Sequence, residues 1–208
     1  MTGNLFRRLG GLLRKRDDSR VSEWESKHWR LPPMPPELLP ALHKAGLAAG
    51  GRILDIGSGM GDISAWLVES GYRVLGIDKE AAAITVAKRD HPENANLEHR
   101  QFDFLNDDLD ELGRFDAAVD RGCLHQMDKS VRPDYLASLE STLKPGAVFC
   151  LFHRFEEKDL ERGITPDYVR SLFEPHFELV EEQPHRFPSQ KPWIRRRGRF
   201  LVMRRKRT

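Results

Sequence analysis

Three glycines at alternate positions, Gly57, Gly59 and Gly61, follow an apolar run that begins at Ile53. Glycine has no Cβ, so it permits a tight turn and lets a ligand approach the main chain closely. Such a turn after a buried strand can bind a nucleoside triphosphate, a dinucleotide, or a nucleoside without phosphates. The neighbouring residues decide among these three ligand classes.

The residues after the turn disfavour both phosphate-bearing ligands. A triphosphate site needs a lysine followed by Ser or Thr after the last glycine, and Met60, Gly61 and Asp62 supply neither. The dinucleotide fingerprint has its third glycine at position 62, where the pyrophosphate lies on main-chain amides, and the carboxylate of Asp62 would repel it. The turn is therefore better suited to a nucleoside that lacks phosphates.

Two further aspartates complete a nucleoside site. Asp78 ends the next strand about 20 residues beyond Gly57, where a carboxylate can accept hydrogen bonds from both ribose hydroxyls. Asp103 ends the third strand in the segment QFDF, where it can accept from the exocyclic amine of adenine, and Phe104 can pack on the ring. An adenine nucleoside with an unphosphorylated ribose and a flexible zwitterionic tail is S-adenosylmethionine.

Strands and helices alternate along the chain and position these residues. The sequence predicts strands over Arg52–Ile56, Arg73–Ile77, Leu97–Phe102, Phe115–Val119, Ala147–His153, Phe177–Glu182 and Phe200–Met203. It predicts helices at about 37–47, 62–70, 80–90, 131–143 and 166–174, with Asp62 and Thr165 as caps. Alternating strands and helices imply parallel strands with right-handed crossovers, and hence a doubly wound α/β sheet.

Four segments, ILDIGSGMGDIS, VLGIDKE, QFDF and FDAAVDRGCLHQM, resemble in order and spacing the class I S-adenosylmethionine-dependent methyltransferases over roughly residues 35–205. The resemblance implies a Rossmann-like, seven-stranded sheet, mostly parallel with an antiparallel last strand, in a domain of residues 35–208. It implies contacts of Asp55, Gly57 and Gly59 with the methionine part of the cofactor, of Asp78 with the ribose and of Asp103 with the adenine. Ser58, Lys79, Phe104 and Asp120 complete the set of candidate cofactor-binding residues.

The segment DRGCLH after the fourth strand carries the catalytic candidates. It resembles, over a shorter stretch, the thiopurine-methyltransferase-like branch, whose substrates are small molecules and often thiols. A hydroxyl or amine acceptor needs a base, and His125 is the first candidate and His153 the second, with structural roles as the alternative for each. Arg121 can pair with an anionic substrate or with Asp120. We expect methyl transfer to a small-molecule thiol, hydroxyl or amine.

Composition limits the other possibilities. The 208 residues, 39% hydrophobic and 32% charged, fit one soluble domain, and no apolar run reaches the about 20 residues that a membrane span needs. The two cysteines, Cys123 and Cys150, form no CxxC pair and no metal-ligand spacing. We therefore expect no metal site and a cytoplasmic location.

Basic residues are concentrated at both ends of the chain. Residues 1–16 contain five basic residues and residues 186–208 contain ten, and neither segment contains an acid. Residues 1–34 are predicted to be an amphipathic or lid segment. A terminal helix packed on its own domain is the favoured interpretation of its first part, and membrane-surface contact of residues 1–16 is the alternative. Trp24 and Trp29 form either an aromatic lid or ordinary packing contacts. The basic C-terminal segment keeps an RNA or protein methyltransferase open as the second function, although specific nucleic-acid recognition is the less expected one.

Overall fold

The computed structural model describes residues 34–155, 165–187 and 196–207, together with Val21. The predictions for Trp24, Trp29 and residues 1–16 lie outside the described residues and stay predictions. Within the described part of the chain, no helix is long and apolar enough to cross a bilayer.

Helices and strands alternate as the sequence predicts. The helices are α1 (Leu38–Lys44), α2 (Asp62–Glu69), α3 (Ala81–Asp90), α4 (Arg132–Thr142) and α5 (Pro166–Phe173). The strands are β1 (Arg52–Ile56), β2 (Arg73–Asp78), β3 (Leu97–Gln101), β4 (Phe115–Arg121), β5 (Leu143–Arg154), β6 (Phe177–Phe187) and β7 (Arg196–Arg205). Single 3-10 turns cover Leu109–Leu112, Leu124–Gln126 and Lys129–Val131.

All seven strands form one sheet in the order β3-β2-β1-β4-β5-β7-β6. The pairs from β3 to β5 are parallel, and β7 runs antiparallel to both β5 and β6. The expected seven-stranded, mostly parallel sheet with an antiparallel last strand is therefore confirmed. The chain order reverses between β1 and β4, which opens a crevice at the carboxyl ends of these strands.

Each face of the sheet carries its own apolar core. Leu54 of β1 packs with Leu139 of α4 on one face, whereas Ile53 packs with Leu67 of α2 on the other. Successive side chains of a strand point to opposite faces, so a strand covered on both faces must be apolar throughout. Burial of each such side chain contributes about 1.5–3 kcal/mol, and it holds the strand ends in fixed positions around the crevice.

The sequence predicts helix caps at Asp62 and Thr165, and the structure bears out only one of them. The side chain of Thr165 accepts a hydrogen bond from the Tyr168 N–H at 3.0 Å, which confirms Thr165 as a cap. The predicted cap at Asp62 is wrong, because Gly61 occupies the cap position with φ of 80°. Asp62 is the first helical residue, and its carboxylate lies 3.0 Å from Nε2 of His91.

Candidate functional site

The glycine turn lies at the carboxyl end of β1, between β2 and the loop that follows β4. Gly57, Gly59 and Gly61 have φ of 67°, 56° and 80°, a left-handed conformation that other residues adopt only at a cost. A Cβ on Gly57 would lie 3.1 Å from Cβ of Cys123. Backbone conformation and close packing therefore both require glycine in this turn.

Asp78 at the end of β2 is tied directly to this turn. Its Oδ2 accepts a hydrogen bond from the Gly59 N–H at 3.0 Å, and its Oδ1 accepts from the Glu80 N–H at 2.9 Å. Burial raises the pKa of Asp78, and the two main-chain donors oppose that rise. Each carboxylate oxygen has a second lone pair, so the group can accept two further hydrogen bonds from a ligand.

Asp55 lies two residues before the turn and is buried. Its Oδ2 accepts a hydrogen bond from the Ser64 hydroxyl at 2.6 Å. Burial raises the pKa of Asp55 to about 7, and the positive charge of Arg121 acts in the opposite direction. A cation beside Asp55 would therefore be favoured, because it would stabilise the ionised carboxylate.

The third strand supplies Asp103 at the expected edge but places Phe104 elsewhere. Asp103 is half-buried, and its carboxylate accepts hydrogen bonds from the Leu105 N–H and the Asn106 side chain, both at 3.0 Å. Burial alone would raise the pKa of Asp103, but these hydrogen bonds lower it. The ring of Phe104 is buried in the core, edge-to-face with Tyr135 at 5.6 Å. This corrects the expectation that Phe104 offers its ring to the adenine.

Asp120 holds the loop after β4. Its carboxylate is fully buried and accepts hydrogen bonds from the main-chain N–H groups of Gly122, Cys123 and Leu124 at 2.7–3.0 Å. It also accepts from the Tyr135 hydroxyl at 2.7 Å. Burial raises the pKa of Asp120 to about 6 against these donors. The expected contact of Asp120 with the cofactor is therefore corrected to a structural role, because its acceptor capacity is used within the protein.

Arg121 follows Asp120 and does not pair with it. Its guanidinium is half-buried, and its Nε has no hydrogen-bond partner among the described residues. Burial lowers the pKa of Arg121, while the negative charges of Asp55 and Glu37 raise it. A desolvated cation without a hydrogen-bonding partner costs free energy, so an anionic ligand group beside Arg121 would be stabilised.

Both candidate histidines are buried at the same edge of the sheet. Nδ1 of His125 accepts a hydrogen bond from the Arg154 N–H at 3.2 Å, and its ring packs edge-to-face on Phe187 at 5.7 Å. Because Nδ1 accepts this bond, we assign a neutral ring with its proton on Nε2. Nε2 then donates a hydrogen bond and has no lone pair with which to accept a proton. His153 lies on β5 with its ring 6.1 Å from Phe155. The geometry of His125 therefore fits the structural alternative better than a base at Nε2.

Comparisons with known proteins agree with the fold and the turn. The family profile described as "Methyltransferase domain" matches residues 53–146. The ribosomal RNA small subunit methyltransferase C of Alcanivorax borkumensis is 32% identical over 129 residues, which are 60% of this chain and 38% of the relative. The ubiquinone biosynthesis O-methyltransferase of Acinetobacter baylyi is 29% identical over 135 residues, which are 62% of this chain and 55% of the relative. The chain thus spans about half the length of these curated relatives, or less.

A solved structure shares the fold over nearly the whole chain. It is the 1,6-didemethyltoxoflavin-N1-methyltransferase of Burkholderia thailandensis with bound 1,6-didemethyltoxoflavin and S-adenosylhomocysteine. It is 22% identical, covers 96% of this chain and 90% of its own, and superposes with a TM-score of 0.65. Residues 53–146 thus match the methyltransferase-domain family, and the solved structure shares the fold of the chain.

The solved structure holds S-adenosylhomocysteine, and the residues at the turn of this chain fit S-adenosylmethionine. The left-handed glycines leave the main chain open to a ligand, and Asp78 keeps acceptor capacity for a diol. The hydroxyl of Ser58 is buried without a hydrogen-bond partner among the described residues. Lys79 is exposed, and its carbonyl accepts from the Gln101 side chain at 3.2 Å.

One polar pair near the site was missed by sequence reasoning. Nδ1 of His185 on β6 lies 2.6 Å from a carboxylate oxygen of Glu37, which directly precedes α1. Burial lowers the pKa of His185, Glu37 raises it, and the nearby charge of Arg121 lowers it. No local pattern could have identified the pair, since the two residues are far apart in the sequence and meet only in the folded sheet.

Proposed function

We propose that the chain is an S-adenosylmethionine-dependent methyltransferase that acts on a small-molecule thiol, hydroxyl or amine. The observation that carries the proposal is the bond between the glycine turn and Asp78, which fixes a diol acceptor beside an open main chain. The residues beside this site in the described chain include the half-buried cation Arg121.

Each cofactor-binding residue has a defined part in the proposal. Asp78 accepts hydrogen bonds from the ribose, and Asp103 accepts one from the adenine amine. Asp55 faces the ammonium of the methionine part, and the main chain of Gly57 and Gly59 lies against it. Ser58 follows the end of β1 and Lys79 follows the end of β2.

The protein contributes mainly position and charge to the reaction. S-adenosylmethionine supplies an activated methyl group on a sulfonium, and transfer requires a nucleophile in line with the breaking bond. We propose that Arg121 holds an anionic acceptor near the strand ends, because the buried Nε of its guanidinium has no hydrogen-bond partner among the described residues. His153 remains the candidate for receiving a proton from a hydroxyl or amine acceptor, and a thiol ionises near neutrality without a base.

RNA or protein methylation is the second candidate. The similarity to a ribosomal RNA methyltransferase favours it, as does the basic C-terminal segment. Its signature would be steep salt dependence of substrate binding, since phosphate contacts release counterions. Weak salt dependence together with turnover of a small acceptor would favour the first candidate.

The two free thiols, Cys123 and Cys150, support the proposal of a cytoplasmic setting, where thiols stay reduced.

The proposed function is tested by release of S-adenosylhomocysteine from S-adenosylmethionine in the presence of thiols, phenols and amines in turn. We expect turnover with at least one class and none with the Asp78→Ala variant. Failure of the wild-type protein to bind S-adenosylmethionine would refute the proposal. Binding without turnover of any small acceptor, combined with methylation of RNA, would establish the second candidate instead.

A further inference from the structure

Two arginines stand directly opposite each other on the β6–β7 hairpin. Arg186 of β6 pairs in register with Arg197 of β7, and both side chains are exposed. Neither forms an ion pair within the described ranges. Like charges directly opposite each other on antiparallel strands are destabilising, so the hairpin carries an unfavourable contact that an anion would relieve.

These two arginines line a pocket of about 390 Å³. The other lining residues are Phe155, Pro184, His185, Gly198 and Arg199. The guanidinium of Arg199 lies 6.0 Å from the centre of the Phe155 ring. The volume lies within the range of small-molecule sites, and the pocket combines an aromatic surface with three guanidinium groups.

Within residues 34–155, 165–187 and 196–207, acidic side chains compensate little of this positive charge. Among the described residues, none of those lining the pocket is acidic. Glu182 lies 3.4 Å from Nε of Arg199, but its other oxygen is 2.7 Å from Arg170. The pocket therefore favours a ligand that brings its own negative charge.

The pocket lies at the edge of the sheet where the cofactor turn is found. Phe155 directly follows β5, and its N–H donates to the Arg197 carbonyl at 3.2 Å. His185 lines the pocket and also contacts Glu37, close to Arg121 at the end of β4. A molecule in this pocket would thus lie beside the crevice, on the side where we propose that the methyl acceptor binds.

We propose that this pocket, lined by Arg186, Arg197, Arg199 and Phe155, binds the carboxylate and ring of a planar aromatic acceptor. The inference rests on the proposed small-molecule methyltransferase and names its substrate class. Arginine suits this task, because its planar group pairs with a carboxylate through two hydrogen bonds and stacks on aromatic rings.

The basic residues at the other end of β7 do not extend the charge into a track for a polyanion. Arg204 donates to the carbonyls of Gly146 and Ala45 at 3.2 and 2.6 Å, and Arg205 donates to the carbonyl of Leu143. These cations bind the main chain at the opposite edge of the sheet. Arg186 and Arg197, which form no ion pair among the described residues, thus form a compact site that fits a small anion better than RNA.

Calorimetric titration of the protein saturated with S-adenosylhomocysteine tests the site, with 2-naphthoate as the probe and neutral 2-naphthamide as its matched analogue. We expect naphthoate to bind at least tenfold more tightly than naphthamide. Arg186→Gln and Arg197→Gln should each weaken naphthoate binding tenfold or more, and Arg197→Lys should weaken it less. Arg114→Gln removes an exposed arginine far from the hairpin and should leave binding within twofold of wild type.

The outcomes separate this inference from the proposed function. Absence of naphthoate binding to the wild type, or equal binding by all variants, would overturn the anionic pocket even if S-adenosylhomocysteine binds. Failure of S-adenosylhomocysteine to bind would count against the proposed function, and naphthoate titration of the apo protein would still decide on the pocket. Tight RNA binding that is lost in the two glutamine variants, without naphthoate binding, would overturn the inference in favour of a nucleic-acid surface. The glutamine variants should melt at or above the wild-type temperature, because they remove a like-charge pair.

Discussion

The main-chain N–H of Gly59 donates to Oδ2 of Asp78 at 3.0 Å, which joins the turn after β1 to the end of β2. This bond and the one from the Glu80 N–H leave each carboxylate oxygen with a second lone pair. One aspartate thereby holds the turn in place and remains able to accept hydrogen bonds from the ribose.

We expect Asp78→Ala to weaken binding of S-adenosylhomocysteine at least tenfold. Each charge-assisted hydrogen bond to the ribose contributes about 1.5–3 kcal/mol, and the turn also loses its anchor. Calorimetric titration measures the effect. Asp116→Asn serves as the control, since it removes an acid that pairs with Lys144 at 2.7 Å at the far edge of the sheet. An unchanged dissociation constant in Asp78→Ala would remove the ribose assignment.

Gly61→Ala should destabilise the fold more than Gly46→Ala. Both glycines have φ of 80°, so alanine suffers the same backbone strain of about 1–2 kcal/mol at either position. A Cβ at Gly61 would lie 2.6 Å from the His99 ring, whereas nothing lies within 4 Å of one at Gly46. Urea unfolding of both variants isolates the steric contribution. Equal losses of stability would show that the His99 ring moves aside freely.

Asp55→Asn should change how stability depends on pH. The pKa of Asp55 is raised to about 7 in the folded protein, so the folded state holds this proton more tightly than the unfolded state. This contribution to stability is fully present below about pH 4 and is lost as the pH rises toward 7. We expect Asp55→Asn to gain stability relative to wild type over that interval, with a slope of at most about 1.4 kcal/mol per pH unit. If the free energies of unfolding of Asp55→Asn and wild type differed by the same amount at pH 4 and at pH 7, the raised pKa would be contradicted.

His125→Ala should lower turnover and leave the affinity for S-adenosylhomocysteine near that of the wild type. We propose that His125 acts by holding the Arg154 main chain, so the pH dependence of the rate should keep its shape in the variant. His176→Ala, at the opposite edge of the sheet, is the control and should retain full activity. Loss of one ionisation from the pH–rate profile in His125→Ala alone would instead identify His125 as the base.

The sequence by itself predicted the residues of the proposed cofactor site. Gly57, Gly59 and Gly61 follow one strand and Asp78 ends the next, and these positions depend on local turn geometry and on the spacing of a single crossover. The alternation of apolar strands and amphipathic helices was likewise enough to predict the parallel sheet, because each element is specified by short-range periodicity. The antiparallel last strand was predicted from the resemblance to class I S-adenosylmethionine-dependent methyltransferases.

Only the tertiary structure decided the use of the remaining side chains. Asp120 looks like a ligand-binding residue in the sequence, but the loop after β4 folds back and fills its acceptors. Arg186 and Arg197 are ordinary members of a basic segment until the hairpin register sets them opposite each other. Hydrogen-bond partners and cross-strand neighbours are set by contacts between distant parts of the chain, and local sequence patterns carry no information about them.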